Sequence, residues 1–136
     1  RAHHRDINEF GGLGGQMPIF TGITSFAFFA SLGLPGLSGF ISEAMVFIGA
    51  FSVYKYLTIV AVSGVILTAA YLLWTLQRVF LGPQKDKYKD LPEISRMEIF
   101  TLAPLMVIIL FVGVYPSPVL NLMRTSLNYL IGIVNP

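Results

Sequence analysis

The 136 residues contain no cysteine, and only 12% of them are charged. Without cysteine there can be no disulfide framework, no thiolate metal site and no cysteine-ligated iron–sulfur cluster in this chain. The shortage of charge excludes more. A soluble domain carries about a quarter charged residues to face water, whereas here 54% are hydrophobic and the mean hydropathy is +0.72. Long stretches have no charge at all: residues 10–42, 56–77 and 99–123, runs of 33, 22 and 25. A helix needs about 20 apolar residues to cross a bilayer. The chain therefore reads as an integral membrane protein or a piece of one. It begins at Arg1, with neither an initiator methionine nor a signal-peptide pattern, and is expected to be a fragment of a longer polypeptide or one half of a split subunit. The net charge of +2 comes from cations flanking the apolar runs, not from a stripe suited to phosphates, so no nucleic-acid partner is expected.

The expected fold is an all-α membrane protein with three spans and an amphipathic tail. Residues 1–16, RAHHRDINEFGGLGGQ, read as a polar, glycine-rich loop. An apolar stretch follows over 17–53, but Leu34-Pro35-Gly36-Leu37-Ser38-Gly39 cannot sit in a straight helix. Pro35 lacks a backbone donor and clashes with the preceding turn, and eight of the thirteen glycines lie between Gly11 and Gly39. The stretch is read as a discontinuous helix broken at 34–39. Tyr54, Lys55 and Tyr56 mark an interface. A second span covers 57–80, a charged loop 82–96 and a third span 97–115, opened by a capping box at Ser95 and Glu98. Pro104 is tolerated inside the third span, while Pro116 and Pro118 end it. Residues 119–136 carry Leu120, Met123, Leu127, Leu130 and Val134 on one helical face, with Asn121, Arg124, Thr125 and Asn128 opposite, which suits a helix lying in the interface.

Charge parity favours one crossing over 17–53 rather than two. One crossing places the N-terminal loop and the 82–96 loop on the same side, with Arg1, Arg5, Arg78, Lys85, Lys87, Lys89 and Arg96 there and only Lys55 and Arg124 opposite. Two crossings would split the nine cations nearly evenly. The positive-inside rule then makes the 82–96 loop cytoplasmic.

Glu43 is the single charge among the 45 residues from Phe10 to Tyr54. A carboxylate at membrane depth costs a few kcal/mol, and desolvation disfavours its ionised form, the property a proton carrier requires. The plainer reading is a structural ion pair with a cation on another helix. Gly39, Ser42, Glu43, Val46, Gly49 and Ala50 form a small and polar stripe expected to face protein, opposite Phe40, Ala44, Phe47, Ile48 and Phe51. The break itself, with Leu34, Pro35, Gly36, Ser38 and Gly39, either exposes backbone groups for an ion path or is a proline kink that shapes the bundle. Gly64, Thr68, Tyr71, Thr75 and Arg78 make a polar stripe on the next span, read as hydrogen-bonded packing or as a water-lined path. His3 and His4, being adjacent, are a poor metal pair, and no metal or cofactor site is expected.

The segments HHRDINEFGGL, ASLGLPGLSGFISEAMVFIGAF, RVFLG and GVYPSPVL resemble the C-terminal part of the M-type antiporter-like membrane subunits of proton-pumping NADH:quinone oxidoreductase, respiratory complex I. The mitochondrial relative is subunit 4. The resemblance covers essentially the whole chain and is carried most specifically by LPG-x-x-G-F-x-x-E. It implies a subunit of fourteen helices with two inverted five-helix repeats, of which this chain supplies the broken twelfth helix and the last two. It also implies that Glu43 matches the family's essential ionisable group of that helix. Lysine occupies this position in the L and N types, so Glu43 favours M. The implied activity is membrane proton translocation coupled to quinone reduction, as one subunit of an oxidoreductase. NADH, flavin, iron–sulfur clusters and quinone would be bound by other subunits, and the partners would be neighbouring antiporter-like membrane subunits and lipid. The bacterial plasma membrane, the thylakoid and the mitochondrial inner membrane all fit. Two other readings remain: a subunit of an Mrp-type cation/proton antiporter or related membrane hydrogenase, and a purely structural membrane segment.

Overall fold

The computed structural model describes residues 6–88 and 90–134. His3, His4, Arg5 and Lys89 lie outside them. Six helices follow in order: α1 Leu13–Gln16, α2 Pro18–Ser31, α3 Ser38–Val53, α4 Lys55–Val79, α5 Arg96–Val114 and α6 Ser117–Val134, with short 3-10 turns at Ile7–Glu9 and Asp86–Tyr88. The described residues contain no strand. Two of these helices are long and apolar enough to cross a membrane, α4 with 25 residues and α5 with 19. At 1.5 Å per residue they measure about 37 Å and about 28 Å. The shorter apolar pair α2 and α3, 14 and 16 residues, reaches only about 21 Å and about 24 Å.

The non-helical segment between α2 and α3 is 32–37, two residues earlier than the 34–39 read from the sequence, and Ser38 and Gly39 lie in the first turn of α3. The reason is a Schellman ending. Gly33 adopts φ +69°; its N–H donates to the Ala30 carbonyl (3.4 Å) and the Leu34 N–H to the Phe29 carbonyl (3.2 Å), the two bonds of that motif. A turn then runs from Leu34 to Leu37, closed by a 3.0 Å bond from the Leu37 N–H to the Leu34 carbonyl. Pro35 holds its second position and Gly36, at φ +95°, its third, the residue pattern of a type II turn. The segment is a cap followed by a turn, not frayed helix.

At the other junctions the chain turns within one or two residues. Tyr54 alone separates α3 from α4, and the hydroxyl of buried Thr58 donates to its carbonyl at 2.9 Å. Both halves of the Ser95–Glu98 capping box are present. Pro118, read as part of a stop signal, instead sits in the first turn of α6, where its missing N–H costs nothing.

Burial is concentrated at one end. Leu13, Phe80 and Tyr88 form a core cluster, flanked by Phe10, Phe20, Leu76, Val79 and Leu91. Around it the segment before α2 and the loop after α4 clasp each other. Lys85 donates to the Asn8 and Glu9 carbonyls at 2.7 and 2.9 Å, Lys87 pairs with Glu9 at 3.0 Å, and the Gly14 N–H reaches the Phe80 carbonyl at 2.8 Å. Phe10 stacks on Tyr88 at 5.4 Å. We refer to this assembly as the cap. The helices beyond it present mostly exposed apolar side chains, among them Ile48, Leu67 and Phe100, as expected of surfaces that meet lipid or further helices rather than water.

Candidate functional site

The site is built where three segments approach too closely for side chains. Gly39, in the first turn of α3, lies on the Ala30 carbonyl at the end of α2, and a Cβ there would overlap it. Gly113, near the end of α5, lies on the Gly36 carbonyl and the Leu37 backbone, again with no room for a Cβ. Buried Leu37 is covered in this way, at 7% exposure. The break is thus clamped between α5 and the start of α3.

Glu43 completes the arrangement. It stands one turn into α3, half-buried, and its carboxylate folds back over the break. A Cβ on Gly33 would lie 2.7 Å from Oε2 and 3.1 Å from Cδ. Side chains on a helix lean toward its N-terminus, which is why a residue within α3 reaches the segment that precedes it. Among the described residues no hydrogen bond or ion pair holds this carboxylate. The structural ion pair considered from the sequence therefore has no cationic member within them.

Ser42 is exposed and donates to the Gly39 carbonyl at 2.9 Å, so its hydroxyl serves its own helix. The small and polar stripe divides: Gly39, Glu43 and Ala50 are half-buried, while Ser42, Val46 and Gly49 are exposed. Ala44 and Phe47, assigned to the opposite face, are half-buried too. The face that α3 turns inward is thus rotated toward bulkier residues, with Ile41, Ala44 and Phe47 beside Gly39, Glu43 and Ala50. On α4 the polar stripe also divides. Thr68 and Thr75 are half-buried, and their hydroxyls donate to the Gly64 and Tyr71 carbonyls of the same helix at 3.1 and 2.8 Å. Tyr71 and Arg78 are exposed, and the Arg78 guanidinium lies 5.8 Å from the Trp74 ring centroid. These contacts all stay within α4.

Two contributors escaped the sequence reading: Gly33 and Gly113. Gly33 carried a usable signal, since glycine two residues before proline at the end of an apolar helix is the pattern of a Schellman cap. Gly113 carried none, because its importance rests on partners far away in sequence.

The comparisons with known proteins bear on this geometry. Residues 1–68 match the family model described as NADH:quinone oxidoreductase/Mrp antiporter, TM. That stretch holds the break, Glu43 and half of the chain. The chain belongs to this family of membrane antiporter-like subunits. Curated relatives include NADH-quinone oxidoreductase subunit M of Rhodobacter capsulatus, 40% identical over 96% of this chain and 26% of the relative. Another is F(420)H(2) dehydrogenase subunit M of Methanosarcina mazei, 36% identical over 95% of this chain and 26% of the relative. Respiratory complex I from Thermus thermophilus with bound NADH contains a chain that superposes with a TM-score of 0.74 at 31% identity, covering 82% of this chain and 23% of that one. These relatives uphold the resemblance to M-type subunits. The chain spans about a quarter of their length. Membership establishes an integral membrane subunit of the antiporter-like kind, and the four apolar helices accord with it.

Proposed function

We propose that the chain is a segment of an M-type proton-translocating subunit in a quinone-reducing respiratory complex, and that Glu43 accepts and releases a transported proton. The observation that carries this is the placement of Glu43: one carboxylate in an apolar helix pair, laid on the break and holding no donor within the described residues. Such a group is free to change its protonation state without dismantling a structural pair. Electron transfer at redox centres on other subunits biases a row of buried ionisable groups, of which Glu43 is one, and water bridges them. Moving a charge against 100 mV requires about 2.3 kcal/mol, comparable with the interaction of charges a few ångströms apart in a protein interior. The relatives include subunits named for different electron donors, NADH and F(420)H(2). That supports a role for this segment on the proton side of the machine, common to both.

The same reading takes α2, the break and α3 as one discontinuous span. Its support is the cap. The start of α2, the end of α4 and the start of α5 meet there, so α4 needs a single crossing before it to return to the same end. With the positive-inside rule, the 82–96 loop is cytoplasmic. On the far side lie the α3–α4 junction with Lys55, and α6 in the interface with its apolar face in lipid. The partners are the neighbouring antiporter-like subunits.

A hydrophobic carbodiimide, which attacks protonated carboxyl groups in apolar surroundings, tests the proposal in the intact complex. Mass spectrometry should find the adduct on Glu43, with proton pumping lost in proportion to labelling. Full pumping with Glu43 stoichiometrically modified refutes it. Subunits that co-purify with the full-length chain separate the complex from an Mrp-type antiporter assembly.

A further inference from the structure

We infer that Glu93 is a positioning residue for the Glu43 site, holding the first half of the broken helix from its far end. The inference rests on the proposed role of Glu43 and extends it to a residue in the 82–96 loop. Glu93 is half-buried, and its carboxylate accepts from the Ile19 N–H at 3.1 Å through Oε2 and from the Phe20 N–H at 3.3 Å through Oε1. Those are two of the free donors in the first turn of α2, where Pro18 at the start and Met17 before it supply no side-chain cap. A helix end without its own cap is thus closed by a carboxylate more than seventy residues away in sequence. Its negative charge also suits the positive end of the helix dipole.

Glu93 itself stands on a firm base. Its Oε1 also accepts from the Ile94 N–H at 2.9 Å, buried Ile94 follows it, and the Leu91 carbonyl accepts from the Gln16 side chain at 3.3 Å. The loop is joined to the segment before α2 by the Lys85, Lys87 and Phe10–Tyr88 contacts of the cap. From this base α2 runs unbroken for 14 residues and ends in the Gly33 cap on which the Glu43 carboxylate lies. A helix transmits a displacement of its start to its end, since its internal bonds leave few soft degrees of freedom. Releasing the Ile19 and Phe20 amides lets α2 tilt or slide, and Gly33 moves beneath the carboxylate.

The experiment uses the full-length subunit in its assembled complex, in sealed vesicles, with Glu93→Ala, Glu93→Gln, Glu93→Asp and Glu43→Gln made in parallel. Protons pumped per electron pair and electron transfer to quinone are both recorded, with hydrogen exchange at the first turn of α2. Glu93→Ala should lower the pumping ratio at least threefold and speed exchange at Ile19 and Phe20 more than tenfold, while electron transfer holds within twofold. Glu93→Gln keeps an acceptor oxygen and should restore most of the ratio. A ratio unchanged in Glu93→Ala overturns the inference, as does a fall in both activities together that Gln does not rescue, the mark of a merely structural residue. Should Glu93→Ala fail to assemble, Glu93→Asp decides, since its carboxylate is one methylene too short to reach both amides: a reduced ratio with electron transfer kept supports the inference, and a normal ratio overturns it. Normal pumping by Glu43→Gln is a separate outcome that removes the proposed role of Glu43 itself.

Discussion

Glu43 touches Gly33 because Gly33 has no side chain, and that contact makes a specific demand on both residues. Gly33 adopts a left-handed φ that costs an L-residue about 1–2 kcal/mol, and a Cβ there would also strike the carboxylate. Gly36 is left-handed as well, but nothing lies within 4 Å of the place its Cβ would take. The pair separates strain from contact. Gly33→Ala should depress proton pumping several-fold more than Gly36→Ala, although both lose comparable stability, as measured by vesicle pumping and by thermal unfolding of the purified complex. Equal pumping by the two variants would mean that the carboxylate does not depend on its seat. At this scale the sequence singled out Glu43, because a lone carboxylate in an apolar run is costly to keep. It was silent about where the carboxylate points.

Pro35, Gly36 and the need for a break were legible, because proline and glycine act through their own backbone geometry. The limits of the break were not, since they depend on a Schellman cap that ends α2 before the proline is reached. The capping box of α5 was legible for the same local reason: Ser95 and Glu98 need only each other. Ser95→Ala should destabilise the start of α5 by about 1 kcal/mol, read as faster hydrogen exchange at Glu98 and its neighbours. Packing between helices left no trace in the sequence. Gly113 looks like any glycine near a helix end, yet it lets α5 lie on the Gly36–Leu37 backbone. Gly113→Ala should therefore push α5 off the break, and pumping should fall with little change at the cap. Unchanged pumping would show that α5 does not clamp the site.

Over the whole molecule, a folded cap at one end stands against apolar helices whose side chains are mostly exposed. Charge counting anticipated that the two polar segments share a side, and their contacts accord with it. The identity of those contacts had to come from the fold, because Lys85, Lys87 and Glu93 look like ordinary loop charges. Hydrogen bonding and attraction to Glu9 raise the Lys87 pKa above its ordinary 10.5. A raised folded value means that the pair's stabilisation is present below the unfolded value and is lost as pH climbs through the folded one. The Lys87–Glu9 pair should hold through neutral pH and be lost in strong alkali, loosening the cap by a small amount because the pair is exposed. The absence of cysteine allows a direct test of sidedness with single introduced thiols. An impermeant maleimide should reach Asp90→Cys and Lys55→Cys from opposite faces of the membrane, and labelling of both from one face would refute a single discontinuous span. The central claim concerns the one carboxylate on that span. Protons pumped per electron pair by the assembled complex carrying Glu43→Gln test it most directly. The account predicts a ratio at least threefold below that of the unmodified complex, with Glu43→Asp retaining much of it. A Glu43→Gln complex that pumps at the normal ratio with normal electron transfer would contradict it.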